Sequence, residues 1–407
     1  MPKRVVITGI GVITPIGSGK NIFWNNALNG ISGIRKLSRF DTSKFPTSLG
    51  AEVVDFDPLE YIRKNDATAM DITSKLGVAS SVMAVKDAGL NISEINRDRI
   101  GVIVGTTLGT ISFILHQQRV LENSTYEHVH KCLGHMALHN CIPSDISVEL
   151  GIRGCSEAVS SACISSVSAL DIAVKKIKYE NYDAMVVGGS ESAFAPLPYA
   201  GLNIIKALTN DRIRPFDENA DGTVLGEGAA MFIIEDLGHA IKRNANIYCE
   251  IGGVNVLCEG FNHFKREHHG EVAVKTIDGA IQYAGIKKEQ VDFINAHGMG
   301  VGHFDLFESV VLKACFGKSL AEIPVTSIKP LIGHPLAAAS ALQIATTALA
   351  IKEGIAPHTL NTKNLFKNSN LNLIVEKPLR KNIKAALINS YAFGGKCAAC
   401  VLKKYEE

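Results

Sequence analysis

The stretch from residue 159 to residue 189 reads VSSACISSVSALDIAVKKIKYENYDAMVVGG, and it decides the fold class. Apolar residues recur at helical spacing over Val167–Tyr179 and predict an amphipathic helix. The short apolar run Asp183–Val187 ends at Gly188 and Gly189, which predicts a strand that is buried on both faces. A helix followed by such a strand is the unit from which α/β folds are built.

The same alternation continues on both sides of this stretch. Further predicted strands are Arg4–Ile10 (followed by a glycine turn), Ile100–Val104, Ala229–Glu235, Ile247–Val256, Val291–Ala296, Ala385–Asn389 and Cys397–Leu402. Further predicted helices are Thr73–Asp87, Val272–Ala284 and Ala338–Glu353. These elements predict two similar α/β units, residues 1–245 and 246–407. No low-complexity linker separates the units, so we expect one compact body.

The composition excludes several classes of protein. Of the 407 residues 46% are hydrophobic, which is enough for a large core, and the net charge is only +2. This balance gives no reason to expect a nucleic-acid partner. The chain has no run of about 18 uncharged apolar residues, so we expect no membrane partner. Glycines and a proline interrupt the apolar run near the start, which argues against a secretory signal.

The nine cysteines are scattered and odd in number, which fits reduced thiols in a cytoplasmic protein. The single CxxC, Cys397 to Cys400, lies in a predicted strand without a second pair nearby, so core packing explains it better than a metal. The pair His135 and His139 has the spacing of zinc ligands on a helix but lacks the glutamate of HExxH. We therefore predict no metal site.

Cys163 is the strongest candidate nucleophile. Small residues precede it and the amphipathic helix follows, which places the thiol at the start of a helix. There the helix dipole and unpaired N–H groups stabilise a thiolate, and the same N–H groups can hold an oxyanion. A buried structural cysteine explains this motif alone equally well.

Three further motifs carry polar or aromatic side chains at the ends of predicted elements. His297 follows a buried strand in INAHG, where α/β active sites gather. Lys329 and His334 lie in SIKPLIGHPLAAASAL, ahead of an alanine-rich buried helix. Phe393 precedes two glycines in NSYAFGGK. Taken singly, each motif has an ordinary structural explanation, such as a core histidine or a hairpin with one aromatic residue. Only the order of all the motifs along the chain indicates a particular function.

That order of cysteine, histidine, lysine with histidine, and a terminal Phe-Gly-Gly resembles the β-ketoacyl-ACP synthases of the thiolase superfamily. The resemblance covers nearly the whole chain and includes VVITGIGVITPIG, GGSES, RPFDENADGTVLGEGAA and NSYAFGG. It is closest to elongating synthases of fatty-acid synthesis and to ketosynthases of bacterial type II polyketide pathways. It implies an α/β fold of the thiolase-like type, with five layers (α-β-α-β-α) made from two similar halves.

The resemblance also implies a reaction. Cys163 would attack an acyl-ACP thioester and hold the acyl chain. Malonyl-ACP would then lose carbon dioxide, and His297 and His334 would stabilise the enolate with N–H donors. The carbanion would attack the acyl-cysteine to give β-ketoacyl-ACP, so the chain would be an acyltransferase.

Supporting roles are implied in the same way. Lys329 would orient the active-site groups and supply positive field, and Glu308 would support this lysine electrostatically. Backbone N–H groups of Cys163 and Phe393 would form the oxyanion hole, and Phe393 would also gate the pocket. No resident cofactor is expected, because the substrates ride on the phosphopantetheine of acyl carrier protein. The second expected partner is another subunit, in a homodimer or in a heterodimer with a chain-length-factor-like subunit.

Several positions depart from the family pattern, among them Lys396 and Cys397 in place of a usual Thr-Asn and Ser165 and Ser166 in place of Thr-Gly. Three departures bear on carrier binding and gating. Met299 and Val301 stand where the family usually has threonines that bind the pantetheine arm, and losing two such hydrogen bonds weakens carrier binding by about 1–3 kcal/mol. Ala392 replaces the first glycine of Gly-Phe-Gly-Gly, which restricts the backbone if that site needs a positive φ. These changes point to a specialised pathway.

Other functions stay open at this point. Thiolase-type acyl-CoA chemistry would use Cys397 or Cys400 as a second acid/base, although two histidines argue against it. A malonyl-ACP decarboxylase and a non-catalytic partner subunit that shapes a pocket are the remaining alternatives.

Overall fold

The computed structural model describes residues 3–262, 265–267, 269–367 and 369–406. The strands are β1 Val5–Thr14, β2 Gly17–Ser18, β3 Arg35–Lys36, β4 Leu49–Gly50, β5 Ile100–Gly105, β6 Ser156–Val159, β7 Ala184–Ser192, β8 Glu227–Asp236, β9 Cys249–Cys258, β10 Phe293–Asn295, β11 Pro324–Thr326, β12 Ile355–Ala356, β13 Asn372–Leu373, β14 Leu379–Arg380, β15 Ala385–Ala392 and β16 Lys396–Lys403. The helices are α1 Lys20–Leu28, α2 Lys64–Thr68, α3 Ile72–Ala88, α4 Ile111–Asn123, α5 Leu133–Met136, α6 Cys141–Leu150, α7 Ser165–Tyr179, α8 Pro196–Ile204, α9 Leu237–Lys242, α10 Glu271–Tyr283, α11 Gly302–Phe316, α12 Lys329–Ile332 and α13 Ala338–Glu353.

The main sheet repeats one topology. Its order is β13-β11-β10-β15-β16-β9-β1-β8-β7-β5-β6. In the first half β5 is parallel to β6 and β7, and β8 is antiparallel to β7 and β1. In the second half β10 is parallel to β11 and β15, and β16 is antiparallel to β15 and β9. The identical order and direction support two similar halves, which β1 and β9 join as one continuous sheet.

Helices complete five layers. The central layer is α7 and α13, which contact each other and strands of both halves. Ala338 to Ile351 of α13 are all buried, as a helix enclosed between the two halves of the sheet requires. On the outside, α3 contacts β1 and β8, and α10 contacts β9 and β16. The expected α-β-α-β-α arrangement is therefore confirmed.

The predicted elements are present, with shifted ends. All residues of β1, β5 and β7 are buried, as their apolar runs predicted. The glycine turn predicted after Ile10 is wrong, because β1 continues to Thr14. Gly11 instead permits close packing, since a Cβ there would lie 1.8 Å from the carbonyl oxygen of Ser80 in α3. The short strands β6 and β11 were not predicted, because three or four residues carry too little periodicity.

The repeat places the candidate residues at equivalent points. Cys163 lies just before α7 and His334 lies just before α13, the two helices of the central layer. His297 follows β10, and Phe393 follows β15. All four therefore approach the same end of the central layer. In the described part of the chain, no helix is long and apolar enough to cross a membrane.

Candidate active site

Cys163 lies in a tight turn between β6 and α7. Ala162 takes a φ of 55°, a left-handed conformation that residues other than glycine seldom adopt. The hydroxyl of Ser165 accepts a hydrogen bond from the N–H of Ser161 at 2.8 Å and donates to the carbonyl of Ala162 at 2.6 Å. These bonds hold the turn and present the thiol at the start of the helix, as the sequence predicted.

The surroundings of the Cys163 thiol set its protonation state. The residue is only 6% exposed, and burial raises the pKa of its thiol to about 11, while the charge of Lys329 opposes this rise. Burial therefore opposes the stabilisation of the thiolate that the helix start offers. Removal of the thiolate from water outweighs the stabilisation that a nearby cation provides. The nucleophile needs a proton acceptor in the same pocket.

A carboxylate from α11 shapes the turn that carries His297. The Glu308 side chain accepts the backbone N–H groups of His297 and Gly298, each at 2.7 Å. It also accepts the amide of Asn389 in β15 at 2.5 Å. Glu308 thereby ties α11 to two neighbouring parallel strands. The Glu308 carboxylate bonds these three donors and makes no hydrogen bond to Lys329 itself. Its influence on Lys329 is electrostatic, because its charge raises the pKa of the lysine.

One helical turn before Glu308, Asp305 performs a similar task. It accepts the backbone N–H groups of Met299, Gly300 and Phe216, each at 2.9 Å. Asp305 was not predicted, although its spacing of three residues from Glu308 places both carboxylates on one helix face. The loop after His297 is therefore held by two buried carboxylates.

Lys329 is 1% exposed and reaches the back of His297. Its ammonium donates to the carbonyl of His297 and lies 3.5 Å from Nδ1 of the same residue. An ammonium can only donate, so Nδ1 is the acceptor and the ring proton lies on Nε2. Burial lowers the pKa of Lys329 to about 8, and the charge of Glu308 opposes this fall. The lysine is mainly cationic at neutral pH.

His334 completes the pair of imidazoles. Its backbone N–H donates to the carbonyl of Val224 at 2.7 Å, and its ring lies edge-on to that of His297 with centroids 5.4 Å apart. Among the described residues neither ring nitrogen of His334 has a hydrogen-bond partner. Burial and the charge of Lys329 hold the pKa of both histidines well below 6.5. Both rings are neutral at pH 7, and each carries one N–H.

These groups open onto one cavity of about 280 Å³ with an almost entirely apolar wall. Cys163, His297, His334 and Phe393 all line it. The other lining residues are Thr107, Leu108, Ala162, Pro198, Gly201, Leu202, Ala207, Thr223, Leu225, Met299, Phe304, Leu336, Tyr391 and Ala392. Such a wall suits an acyl chain, with polar groups only where the chemistry takes place.

Phe393 lies in the turn between β15 and β16. The residue is 36% exposed, and its ring meets that of Phe304 edge-on at 5.8 Å. Gly394 and Gly395 take φ values of 78° and 72°, whereas Ala392 is an ordinary strand residue whose φ is not positive. The alanine therefore imposes no backbone strain, and the turn needs glycine only after Phe393.

Met299 and Val301, the two residues near His297 that depart from the family pattern, lie in different surroundings. Met299 lines the cavity and is 6% exposed. Val301 pairs with Asp221 in an isolated bridge and caps α11, and it is not among the lining residues. Only Met299 is placed to alter contacts with a substrate in the cavity.

Sequence reasoning also missed an arginine and a tyrosine. The guanidinium of Arg266 lies 5.4 Å from the ring centroid of Tyr391, and that ring lies 6.0 Å from the ring of His297. Tyr391 was within a quoted motif, but Arg266 lies in a loop without periodicity or motif. No local signal could have identified it.

The alternative cysteine sites lie elsewhere. Cys397 and Cys400 are buried in β16 and are not among the residues that line the cavity, which removes the geometric basis for thiolase-type acid/base chemistry. His135, one of the two histidines with zinc-like spacing, forms a hydrogen bond of 3.0 Å between its Nε2 and Oδ1 of Asp145. Within the described ranges, no group of three or more potential ligands is placed to hold a metal ion.

Comparisons of the sequence agree with this geometry. Residues 2–240 match the model of the beta-ketoacyl synthase N-terminal domain, and residues 248–363 match that of the C-terminal domain. The chain is 34% identical to the 3-oxoacyl-[acyl-carrier-protein] synthase 2 of Coxiella burnetii over 99% of both chains. It is 33% identical to the protein of the same name from Synechocystis, again over 99% of both.

Solved structures show the same fold. The ishigamide ketosynthase/chain length factor superposes with a TM-score of 0.94 at 29% identity, over the full length of both chains. A type II polyketide acyl-carrier protein in complex with its ketosynthase, bound to the hexaketide, superposes at 0.91 with 27% identity, also over the full length of both. With its Cys163, His297 and His334 gathered on one cavity, the chain belongs to the beta-ketoacyl synthase family of condensing acyltransferases.

Proposed function

We propose that this chain condenses an acyl-ACP with malonyl-ACP to give β-ketoacyl-ACP, with loss of carbon dioxide, in fatty-acid or type II polyketide biosynthesis. The observation that carries the proposal is the meeting of one thiol and two neutral imidazoles on a single apolar cavity. The thiol can hold an acyl group, and the imidazoles can donate to a developing enolate.

In the first half-reaction, Cys163 is acylated. A neutral imidazole takes the thiol proton, and His334 is best suited because no described residue bonds its ring. The thiolate attacks the acyl carbonyl, and the oxygen takes the negative charge. The intermediate then collapses, the bond to the carrier sulfur breaks, and the imidazolium returns its proton to the departing carrier thiolate. The backbone N–H groups of Cys163 and Phe393 stabilise the oxyanion.

In the second half-reaction, the bond between the malonyl α-carbon and its carboxylate breaks. Carbon dioxide leaves, and the electron pair moves into the thioester as an enolate. Nε2–H of His297 and a ring N–H of His334 donate to the enolate oxygen. The α-carbon then attacks the acyl-cysteine carbonyl, and the Cys163 thiolate is expelled and takes up one proton from solvent.

Lys329 and Glu308 support this chemistry without lining the cavity. Lys329 fixes the tautomer of His297 and supplies positive charge behind the enolate. Glu308 orients the backbone of His297 and favours the cationic form of Lys329.

The acyl groups arrive on the phosphopantetheine arm of acyl carrier protein, and we assign no resident cofactor. Support for the carrier comes from the solved type II polyketide ketosynthase, whose structure contains its acyl-carrier protein. A second subunit completes the enzyme, as a homodimer or as a heterodimer. The solved ketosynthase/chain length factor supports the heterodimeric form.

The deciding experiment incubates the protein with a panel of acyl-ACPs and malonyl-ACP and measures products and protein by intact mass. We expect an acyl adduct on Cys163 and β-ketoacyl-ACP as product. The Cys163→Gln variant should lose condensation while retaining malonyl-ACP decarboxylation. Cys141→Ser, at another buried cysteine, is the matched control and should retain both.

Three results would contradict the proposal. Decarboxylation without any acyl adduct would favour a malonyl-ACP decarboxylase. Absence of an adduct and of decarboxylation, with or without a partner subunit, would favour a non-catalytic role. Condensation retained in Cys163→Gln would exclude Cys163 as the nucleophile.

A further inference from the structure

We propose that Arg266 is a positioning residue that clamps the turn carrying Phe393 and so sets the oxyanion hole for acylation of Cys163. This inference rests on the proposed function. Arg266 makes a set of contacts that the condensation reaction does not use.

The guanidinium of Arg266 holds both arms of the β15–β16 hairpin. Its Nη2 donates to the carbonyl of Ala392 at 2.8 Å and to the carbonyl of Lys396 at 3.1 Å. Ala392 and Lys396 face each other in the strand register, immediately before and after the turn. One side chain therefore fixes the distance between the two ends of the turn.

A buried carboxylate anchors this arginine. Nη1 of Arg266 donates to Glu259 at 2.8 Å, and the two side chains are only 9% and 0% exposed. Glu259 also accepts the N–H of Glu267 at 3.2 Å, and its own backbone N–H donates to the carbonyl of Gly395 at 2.8 Å. The pair thus ties the turn to the segment after β9. Such charge-assisted bonds are among the stronger ones in proteins.

The tip of the turn has little packing of its own. A Cβ added to Gly394 would meet no atom within 4 Å, and Phe393 is one-third exposed. By contrast, a Cβ at Gly395 would lie 3.0 Å from the Cβ of Glu259. At the tip itself, the thiol of Cys258 donates to the carbonyl of Gly394 at 3.3 Å. The charged groups that restrain the Phe393 backbone act at the base of the turn, where Arg266 and Glu259 lie.

The same guanidinium packs against two aromatic rings on the side of the cavity that carries His297. It lies 5.3 Å from the ring centroid of Phe307 and 5.4 Å from that of Tyr391, which is cation–π geometry. The Tyr391 ring packs edge-on to His297. Arg266 thus connects the Phe393 turn to the wall that carries His297. A planar donor with several N–H groups suits this position, and lysine cannot reproduce it.

The experiment separates two rates in the Arg266→Gln variant of the full-length chain. Acylation of Cys163 by acyl-ACP needs the Phe393 N–H, whereas decarboxylation of malonyl-ACP uses the two histidines. We expect acylation to fall by about 10- to 100-fold, as a displaced oxyanion donor implies. Decarboxylation should stay within about threefold of the wild type, because Arg266 reaches His297 only indirectly, through the ring of Tyr391, and makes no hydrogen bond to either histidine.

The matched control is Arg243→Gln. Arg243 also bonds a buried carboxylate, Glu235, at 2.5 and 2.8 Å, and a backbone carbonyl, that of Ala88, at 2.8 Å. It lies outside the cavity. We expect this variant to lower the thermal midpoint while leaving the ratio of the two rates unchanged.

Equal losses of both rates in Arg266→Gln, or unchanged acylation, would overturn the inference. If that variant does not fold, Arg266→Lys and Glu259→Gln replace it. In both variants the acylation rate should fall more than the decarboxylation rate, by a smaller factor than in Arg266→Gln. A ratio of the two rates that stays at the wild-type value in both variants would overturn the clamp. Acylation of the wild type is the internal reference. Its absence overturns the proposed function as well, whereas acylation with an unchanged ratio of the two rates overturns the clamp alone.

Discussion

The ammonium of Lys329 lies 3.5 Å from Nδ1 of His297 and donates to the carbonyl of the same residue. One cation thereby fixes the tautomer and the backbone of a catalytic histidine at the same time. It also keeps that histidine neutral, because its charge adds to burial in lowering the pKa. The histidine is held in the form that donates a hydrogen bond without carrying charge.

The first prediction concerns this lysine and pH. Burial lowers the pKa of Lys329 to about 8, so the cation is present below that value and is lost as the pH rises through it. We expect the rate of malonyl-ACP decarboxylation to fall above about pH 8. Protonation of the two histidines should lower the rate only well below pH 6.5, because burial holds their pKa values down. Burial raises the pKa of Glu308 to about 7, so any acid limb nearer neutrality reports the loss of this carboxylate.

Lys329→Met should reduce decarboxylation at pH 7 by about 100-fold, as loss of a preorganised electrostatic contact does. It should also remove the basic limb of the pH profile. Lys352→Met, at an exposed lysine that bonds Asn246, serves as the control. A basic limb that persists in Lys329→Met would show that another group titrates there.

The second prediction concerns the Cys163 thiol. With a pKa raised to about 11, only about one molecule in 10,000 carries the thiolate at pH 7. The alkylation rate with iodoacetamide should therefore rise about tenfold per pH unit from pH 7 to pH 10. The measurement uses a Cys258→Ser background, since Cys258 is an exposed thiol. A plateau below pH 8 would instead indicate a resting thiolate.

The third prediction tests the departures near His297. Met299→Thr places a hydroxyl on the cavity wall and should lower the KM for malonyl-ACP about fivefold, since one new hydrogen bond contributes about 1 kcal/mol. Val301→Thr is the matched control, because Val301 does not line the cavity. Steady-state kinetics measure both. An equal effect of the two substitutions on the KM would contradict the conclusion that only Met299 is placed to contact the substrate.

The fourth prediction concerns the gate. Phe393→Ala removes a ring that packs against Phe304 and covers the cavity. Water should then reach the acyl-cysteine, and we expect its hydrolysis to rise about tenfold because closed sites suppress such side reactions. Phe393→Leu keeps an apolar cover and should stay close to the wild type. The half-life of the acyl-enzyme, followed by intact mass, measures the effect. Equal half-lives in all three proteins would argue against a gate.

The local elements and the principal candidate residues followed from the sequence by itself. Helical spacing and glycine-bounded apolar runs are properties of neighbouring residues, so α13 and the strands around it could be read directly. Cys163, His297, Lys329 and His334 stood in motifs whose joint order resembles one family. The structure brings Cys163, His297 and His334 to one cavity and places Lys329 directly behind His297.

Only the tertiary structure decided how these groups behave. The helix start at Cys163 suggested a thiolate, but the depth of burial sets its pKa, and burial depends on elements far along the chain. The repeated strand order, the hold of Asp305 on the loop after His297, and the clamp of Arg266 on Ala392 are all contacts between distant residues. Local spacing along the chain does not reveal such contacts, because they form only when the folded chain brings distant residues together.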